Sequence, residues 1–190
     1  MAWQNQVLQQ WNGGGVILQP AAQAPVSGPY YPFCDHNLDP IVPERRPCWL
    51  DYHQCMEFAI GSIGKVLGPE FASIDSHPTR VRLPDDPLML VHRITKVEGE
   101  ARSMTGGRLV TEHDVMAGAW YLDNQRMPVC VTVEAGQADL FLSGYLGIDF
   151  HTKGQRVYRL LDATVSFHRR LPTVGETIVY DIRIDRFVRQ

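Results

Sequence analysis

The stretch MPVCVTVEAGQADLFLSGYLG, Met127 to Gly147, constrains this chain more than any other. Val129, Val131, Val133, Ala135, Ala138, Leu140, Phe141, Leu142, Tyr145 and Leu146 cover nearly the whole circumference of a helix. A helix apolar on most sides must be surrounded by other elements. Pro128 suits the first turn, where its missing N–H costs nothing. Gly147 suits a C-terminal cap. The spacing predicts one long buried helix over 128–147, with Glu134 on its second turn.

The segments around it read as strands. LMLVHRITKV (88–97), RLVTEHDV (108–115), VYRLLDATVSFH (157–168) and TIVYDIRIDRFV (177–188) are rich in β-branched and aromatic residues. In the last, Ile178, Tyr180, Ile182 and Ile184 alternate with Asp181, Arg183 and Asp185. LPTVGE reads as a hairpin loop between the final two. Upstream, Tyr52, Cys55, Met56, Ala59, Ile60, Ile63, Val66 and Leu67 recur at helical spacing before Gly68-Pro69. They predict a helix over 49–67, whose two glycines imply close packing. Residues 1–47 are rich in Gln, Gly and Pro and read as a linker or arm. The fold class expected is α+β: an antiparallel sheet around one central helix, with an extra N-terminal helix and arm. The chain stops inside a strand-like run, RFVRQ, which reads as an excerpt lacking its final strands; an edge-strand terminus is the alternative.

Composition narrows the function. With 190 residues and a formal charge of −3, the chain suits one domain and gives no electrostatic reason for a nucleic-acid partner. No apolar run reaches membrane-span length, and MAWQNQVLQQW lacks the layout of a signal peptide. Cys34, Cys48, Cys55 and Cys130 have irregular spacing, so neither a zinc site nor a disulfide framework is indicated, and a cytoplasmic location is expected.

The candidate chemistry centres on Glu134. It lies about 9 Å along the helix from its start. Burial would raise its pKa and suit it to general-acid work. The structural alternative is a buried Glu bonded to backbone or to Gln137, one turn on. Free N–H groups after Pro128 would polarise a carbonyl oxygen, and Gly136 would permit close approach of a ligand or backbone. Of the seven histidines, His113 lies nearest the helix start and is the local candidate base, although a packed or surface role is the stronger expectation for each. Cys130 reads as a small buried thiol. Arg169, Arg170, Arg183, Arg186 and Arg189 read as a solvated basic face, with an acidic carrier protein as the alternative.

These segments together carry a resemblance. EFAIGSIGKVLGPEFASID, VRLPDDPLMLVHRITKV, MPVCVTVEAGQADLFLSGYLGIDF and GQRVYRLLDATVSFHRRLPTVGETIVYDIRID resemble the hot-dog β-hydroxyacyl–acyl carrier protein dehydratases. Within that family they look most like the dehydratase region of polyunsaturated fatty acid synthases and iterative polyketide synthases. The likeness covers residues 48–190.

The resemblance implies a reaction on a 3-hydroxyacyl chain carried by the phosphopantetheine of an acyl carrier protein, with no cofactor of the domain's own. A His removes the α-proton and a carboxyl protonates the departing hydroxyl. The acid position corresponds to Glu134, and the backbone donor after Pro128 to Val129. The His position corresponds to Trp120, and no residue from Ala119 to Met127 is a histidine. The expectation is therefore a pseudo-catalytic half: a domain that supplies Glu134 to a neighbouring or second hot dog, fused or homodimeric, that supplies the His. Two alternatives stand beside it: a structural scaffold, and an autonomous dehydratase or thioesterase using His113 with Glu134.

Overall fold

The computed structural model describes residues 46–159 and 163–187. The arm expected over 1–47 therefore lies almost wholly outside the described residues. The elements run α1 (Tyr52–Ile60), α2 (Ile63–Leu67), a 3-10 helix (Pro69–Ser76), β1 (Arg93–Glu98), β2 (Gly107–Asp114), α3 (Val129–Glu134), α4 (Asp139–Tyr145), α5 (Ile148–Thr152) and β3 (Thr177–Ile184). The class is α+β. Its sheet is antiparallel, in the order β1-β2-β3, with an irregularity between Ile94 and Lys96.

The N-terminal helical region is two helices rather than the single one predicted over 49–67. Asp51 and Gln54 form a reciprocal capping box that starts α1. The chain then turns at Gly61-Ser62, and Ser62 caps α2. Asp75, from the 3-10 helix, accepts from Ser62 Oγ (2.6 Å) and from the N–H groups of Ile63 (2.7 Å) and Gly64 (3.1 Å). Those contacts satisfy the donors that a new helix start leaves open, so the break is stabilised. Close packing explains Gly64, where an added Cβ would lie 2.8 Å from Ala72 Cα.

The long apolar helix is also interrupted. The single helix expected over 128–147 is α3, a tight turn, then α4. Gly136 N–H bonds to Val133 O and Gln137 N–H to Glu134 O, each at 3.0 Å, which is 3-10-type bonding. Gly136 explains the position. A Cβ there would stand 3.1 Å from the Tyr180 ring of β3, so the close approach expected of this glycine is made by a side chain of the sheet. Gly147 does have the left-handed conformation of a helix stop, with φ 98°.

Three of the four expected strands form. In β3, Ile178, Tyr180, Ile182 and Ile184 are half-buried while Val179, Asp181 and Arg183 are exposed, as the alternation requires. The segment 157–168 is different: its described residues, 157–159 and 163–168, belong to no strand. Val157, Val165 and Phe167 are 64%, 50% and 56% exposed. A strand-forming pattern needs a partner edge to become a strand, and none of the described edges meets this one. LPTVGE is a turn, but it does not join two paired strands.

Two apolar clusters result. The larger joins α1, α2, the 3-10 helix, β1, β2 and α4 through Phe58, Phe71, Ile94, Leu109, Phe141 and Leu142. The smaller joins Leu90, Val115, Tyr121, Met127, Val131 and Ala135, with Ile178 and Tyr180 packed on it. The candidate site is built on the smaller one.

Candidate functional site

The start of α3 is fixed from a distance in sequence. Met127 N–H bonds to Pro172 O (2.9 Å), Val174 N–H to Gln125 O (3.0 Å) and Gly175 N–H to Val115 O (2.8 Å). The 172–176 turn is itself closed by Thr173 N–H donating to Glu176 Oε2 at 2.6 Å. Met127 is fully buried in the smaller cluster, so the next residue, Pro128, has a defined position. Pro128 is the N-cap, and α3 begins at Val129. Thr132 donates to Pro128 O through both its N–H and its hydroxyl, each at 2.9 Å. The Val129 N–H precedes any helical acceptor, as the first donors of every helix do. Val129 itself is 42% exposed. Cys130 is exposed as well, which corrects its reading as a buried thiol. The first turn of α3 faces outward, and burial begins at Val131.

Trp120 stands in the loop that precedes α3 in sequence. Its Nε1–H donates to Pro87 O at 3.0 Å, and its ring meets Tyr121 edge-on at 5.6 Å. The side chain is 41% exposed. It has an N–H donor and no basic atom, so it cannot take up a proton.

Glu134 ends α3 and is half-buried, not enclosed in an apolar helix. Gln137 Nε2 donates to its Oε2 at 3.0 Å. The geometry therefore realises the Gln137 bond foreseen as the alternative. The carboxylate's other oxygen has no partner among the described residues.

His113 lies in β2 at 1% exposure. Its Nδ1 lies 2.8 Å from Leu90 O and its Nε2 lies 2.7 Å from Tyr121 Oη. A carbonyl can only accept, so Nδ1 carries the proton and Nε2 accepts from the tyrosine. Burial pushes its pKa down, against the opposing Leu90 bond. Both nitrogens are occupied and the ring is enclosed, so no substrate proton reaches it in this arrangement. The structure does not join His113 to Glu134 by any contact.

A second histidine accompanies it. His92 stacks on His113 with ring centroids 4.3 Å apart, and its Nδ1 accepts from Asp114 N–H at 3.0 Å. Burial, and then the neighbouring His113, lower its pKa to about 3. Beside the pair is a buried ionic network. Arg93, 2% exposed, donates to Glu112 Oε2 (2.7 Å) and to both oxygens of Asp114 (2.7 Å each). Thr177 Oγ1 adds a bond to Asp114 at 2.8 Å. Burial disfavours the Asp114 charge, but the Arg93 and Thr177 bonds outweigh it and hold the pKa down to about 2. Tyr121, also buried, is pushed up to about 12. These groups tie β1, β2 and β3 to the loop before α3.

His53, His151 and His168 are exposed, His77 is half-buried, and His36 lies outside the described residues. Among the described residues no cluster of three His, Cys, Asp or Glu side chains is placed to hold a metal. None of their helices is long and apolar enough to cross a membrane.

Sequence reasoning missed Tyr121 as the partner of His113. The signal for burying His113 was present, since it shares strand parity with Leu109 and Thr111, which are buried. The hydroxyl that meets it comes from an irregular loop, which has no such parity.

The described residues define an α+β unit in which a helix led by Pro128 and ended by the half-buried Glu134 packs through Val131 and Ala135 against Tyr180 and Ile178 of an antiparallel sheet. The chain is 41% identical over 165 residues to a polyunsaturated fatty acid synthase subunit of Thraustochytrium sp. (strain ATCC 26185 / S-3). The match covers 79% of this chain and 11% of that much longer protein, so the chain is related to a small part of it. No family model matches the sequence.

Proposed function

We propose that the chain is a hot-dog domain in the dehydratase region of a fatty acid or polyketide synthase, and that it is the pseudo-catalytic half of a shared site. In this reading Glu134 protonates the departing hydroxyl of a 3-hydroxyacyl thioester. The Val129 N–H holds the thioester oxygen. The α-proton is removed by a histidine of an adjacent or second hot dog. The substrate arrives on the phosphopantetheine of an acyl carrier protein, and the domain needs no cofactor of its own. A cytoplasmic synthase is the setting.

The relationship to a polyunsaturated fatty acid synthase supports the synthase setting. The observation that carries the half-site is the contrast between two positions. Trp120, where the family base would stand, is bonded through its Nε1 to Pro87 O, while Glu134, the last residue of α3, keeps an oxygen without a partner among the described residues. The occupied nitrogens of His113 weigh against an autonomous enzyme built on that residue. The Glu134–Gln137 bond favours one competing reading, a scaffold with no catalytic part.

The test is Glu134→Gln in the parent synthase, with dehydration of a 3-hydroxyacyl thioester measured in single turnover. A shared acid predicts a loss of roughly 10²–10⁴-fold. An unchanged rate would leave the scaffold reading in its place.

A further inference from the structure

One groove shares no residue with the region around Trp120 and Glu134. It has a volume of about 350 Å³ and lies between the 79–81 segment, α5 and the 156–159 segment. That volume is within the range of small-molecule sites. Ile148, Val157 and Tyr158 supply apolar surface. Tyr158 is held in place, because its hydroxyl meets Ser143 Oγ of α4 at 2.8 Å.

Three guanidinium groups, Arg80, Arg156 and Arg159, line the same groove. Arg80 is oriented by donating to His77 O at 3.0 Å. None of the three is ion-paired to a carboxylate among the described residues, although exposed arginines elsewhere are, as with Arg183 and Asp181. The one acid in the lining is Asp149, which is buried at 3% exposure and turned to the Val81 N–H at 3.1 Å. Three positive groups against one negative leave two positive charges. The hydroxyls of Thr79 and Thr152 stand in the same lining.

We propose that this groove binds a phosphomonoester with a short aliphatic body. A phosphomonoester carries about −1.5 to −2 charges at neutral pH, which matches the excess, and its oxygens suit the planar fork of arginine. The aliphatic part lies on Ile148, Val157 and the Tyr158 ring. A carboxylate has half the charge and fewer acceptors, so it satisfies the three guanidiniums less well.

The test is titration of the full chain with n-hexyl phosphate, hexanoate and inorganic phosphate, followed by calorimetry at low and physiological salt. Hexyl phosphate binds at least about tenfold more tightly than inorganic phosphate, the factor that two buried methylenes supply. It also binds more tightly than hexanoate. Arg156→Glu and Arg159→Glu, both at exposed positions, abolish the difference, while Arg186→Glu, exposed and outside the groove, leaves it intact. Circular dichroism and thermal melting confirm that each variant is folded. Equal binding of hexyl phosphate and inorganic phosphate, preference for hexanoate, or equal loss with Arg186→Glu overturns the proposal. None of these outcomes bears on Glu134, so the groove and the half-site stand or fall separately.

Discussion

The Tyr121 hydroxyl donates to His113 Nε2 at 2.7 Å inside the core, joining the loop before α3 to the middle strand of the sheet. The tyrosine is 7% exposed and the histidine 1%, so water cannot replace either partner. Tyr121→Phe removes the donor and leaves a buried nitrogen unsatisfied, which costs about 1–3 kcal/mol. Urea denaturation followed by circular dichroism measures that loss. A variant as stable as the parent would mean that the two groups are not bonded.

The stacked histidines make stability depend on pH. His92 has its folded pKa depressed to about 3, below an ordinary value of 6.5. A buried histidine with a depressed pKa is protonated more readily in the unfolded chain, so stability falls as pH drops below about 6.5 and the fall ends near the folded value. At pH 5 the loss from His92 alone is about 2 kcal/mol, and His113, shifted in the same direction, adds to it. Arg93 and Asp114, the charged groups beside the pair, keep their charge through that window. His92→Asn preserves an acceptor for the Asp114 N–H and flattens the dependence between pH 7 and pH 5. Melting temperatures across that range provide the check, and an unchanged slope in the variant would refute the assignment to His92.

Arg93 predicts the largest single loss. It is buried and bonded to two carboxylates, Glu112 and Asp114, which are themselves mostly shielded. Arg93→Met leaves both acids without their shared partner and destabilises the fold by about 3–5 kcal/mol. Adding Asp114→Asn to Arg93→Met recovers part of that loss, because one of the stranded charges is gone. A double-mutant cycle in guanidinium chloride measures the coupling, and strict additivity would count against a network.

Two glycines separate lack of space from backbone conformation. At Gly64 the backbone is ordinary helix, but an added Cβ meets Ala72 Cα at 2.8 Å. At Gly175 there is no atom within 4 Å, but φ is +88°. Gly64→Ala forces α2 from the 3-10 helix and costs about 1–3 kcal/mol. Gly175→Ala meets only the left-handed penalty of about 1–2 kcal/mol, and Gly175→Asn, which tolerates that region better, costs less than the alanine. At Gly64 asparagine is worse than alanine. Thermal melts of the four variants show whether the two orders are opposite.

Much of the fold was legible where apolar residues keep a strict period. β2 and β3 follow their alternation nearly residue for residue, and Gly68 and Gly147 mark helix ends where left-handed φ is needed. What escaped the sequence depends on partners distant in the chain. Asp75 makes the break at Ser62 stable, and Tyr180 occupies the space beside Gly136; neither is visible in a local window. The described residues of the 157–168 segment, 157–159 and 163–168, differ from expectation for the reverse reason, since the pattern is that of a strand but pairing is not a local property. Pro128, expected in the first helical turn, is the N-cap, and the helix begins one residue on at Val129. The half-burial of Glu134 and the Tyr121 bond to His113 were not derivable, because each is set by what packs on the helix or strand from outside it, although strand parity with Leu109 and Thr111 signals that His113 is buried.

The turn at 172–176 has a consequence for how the molecule comes into being. Because Pro172 and Val174 hold Gln125 and Met127, and Val115 closes the same turn, the start of α3 has no settled position until a distant later part of the chain has arrived. Contacts of such long range are closed late in folding. As the chain leaves the ribosome, the α1–α2 unit has its own 3-10 partner at hand and can form early. The helix start with Val129 is assembled only after the 172–176 turn has been synthesised, so any functional site there forms later than the α1–α2 unit.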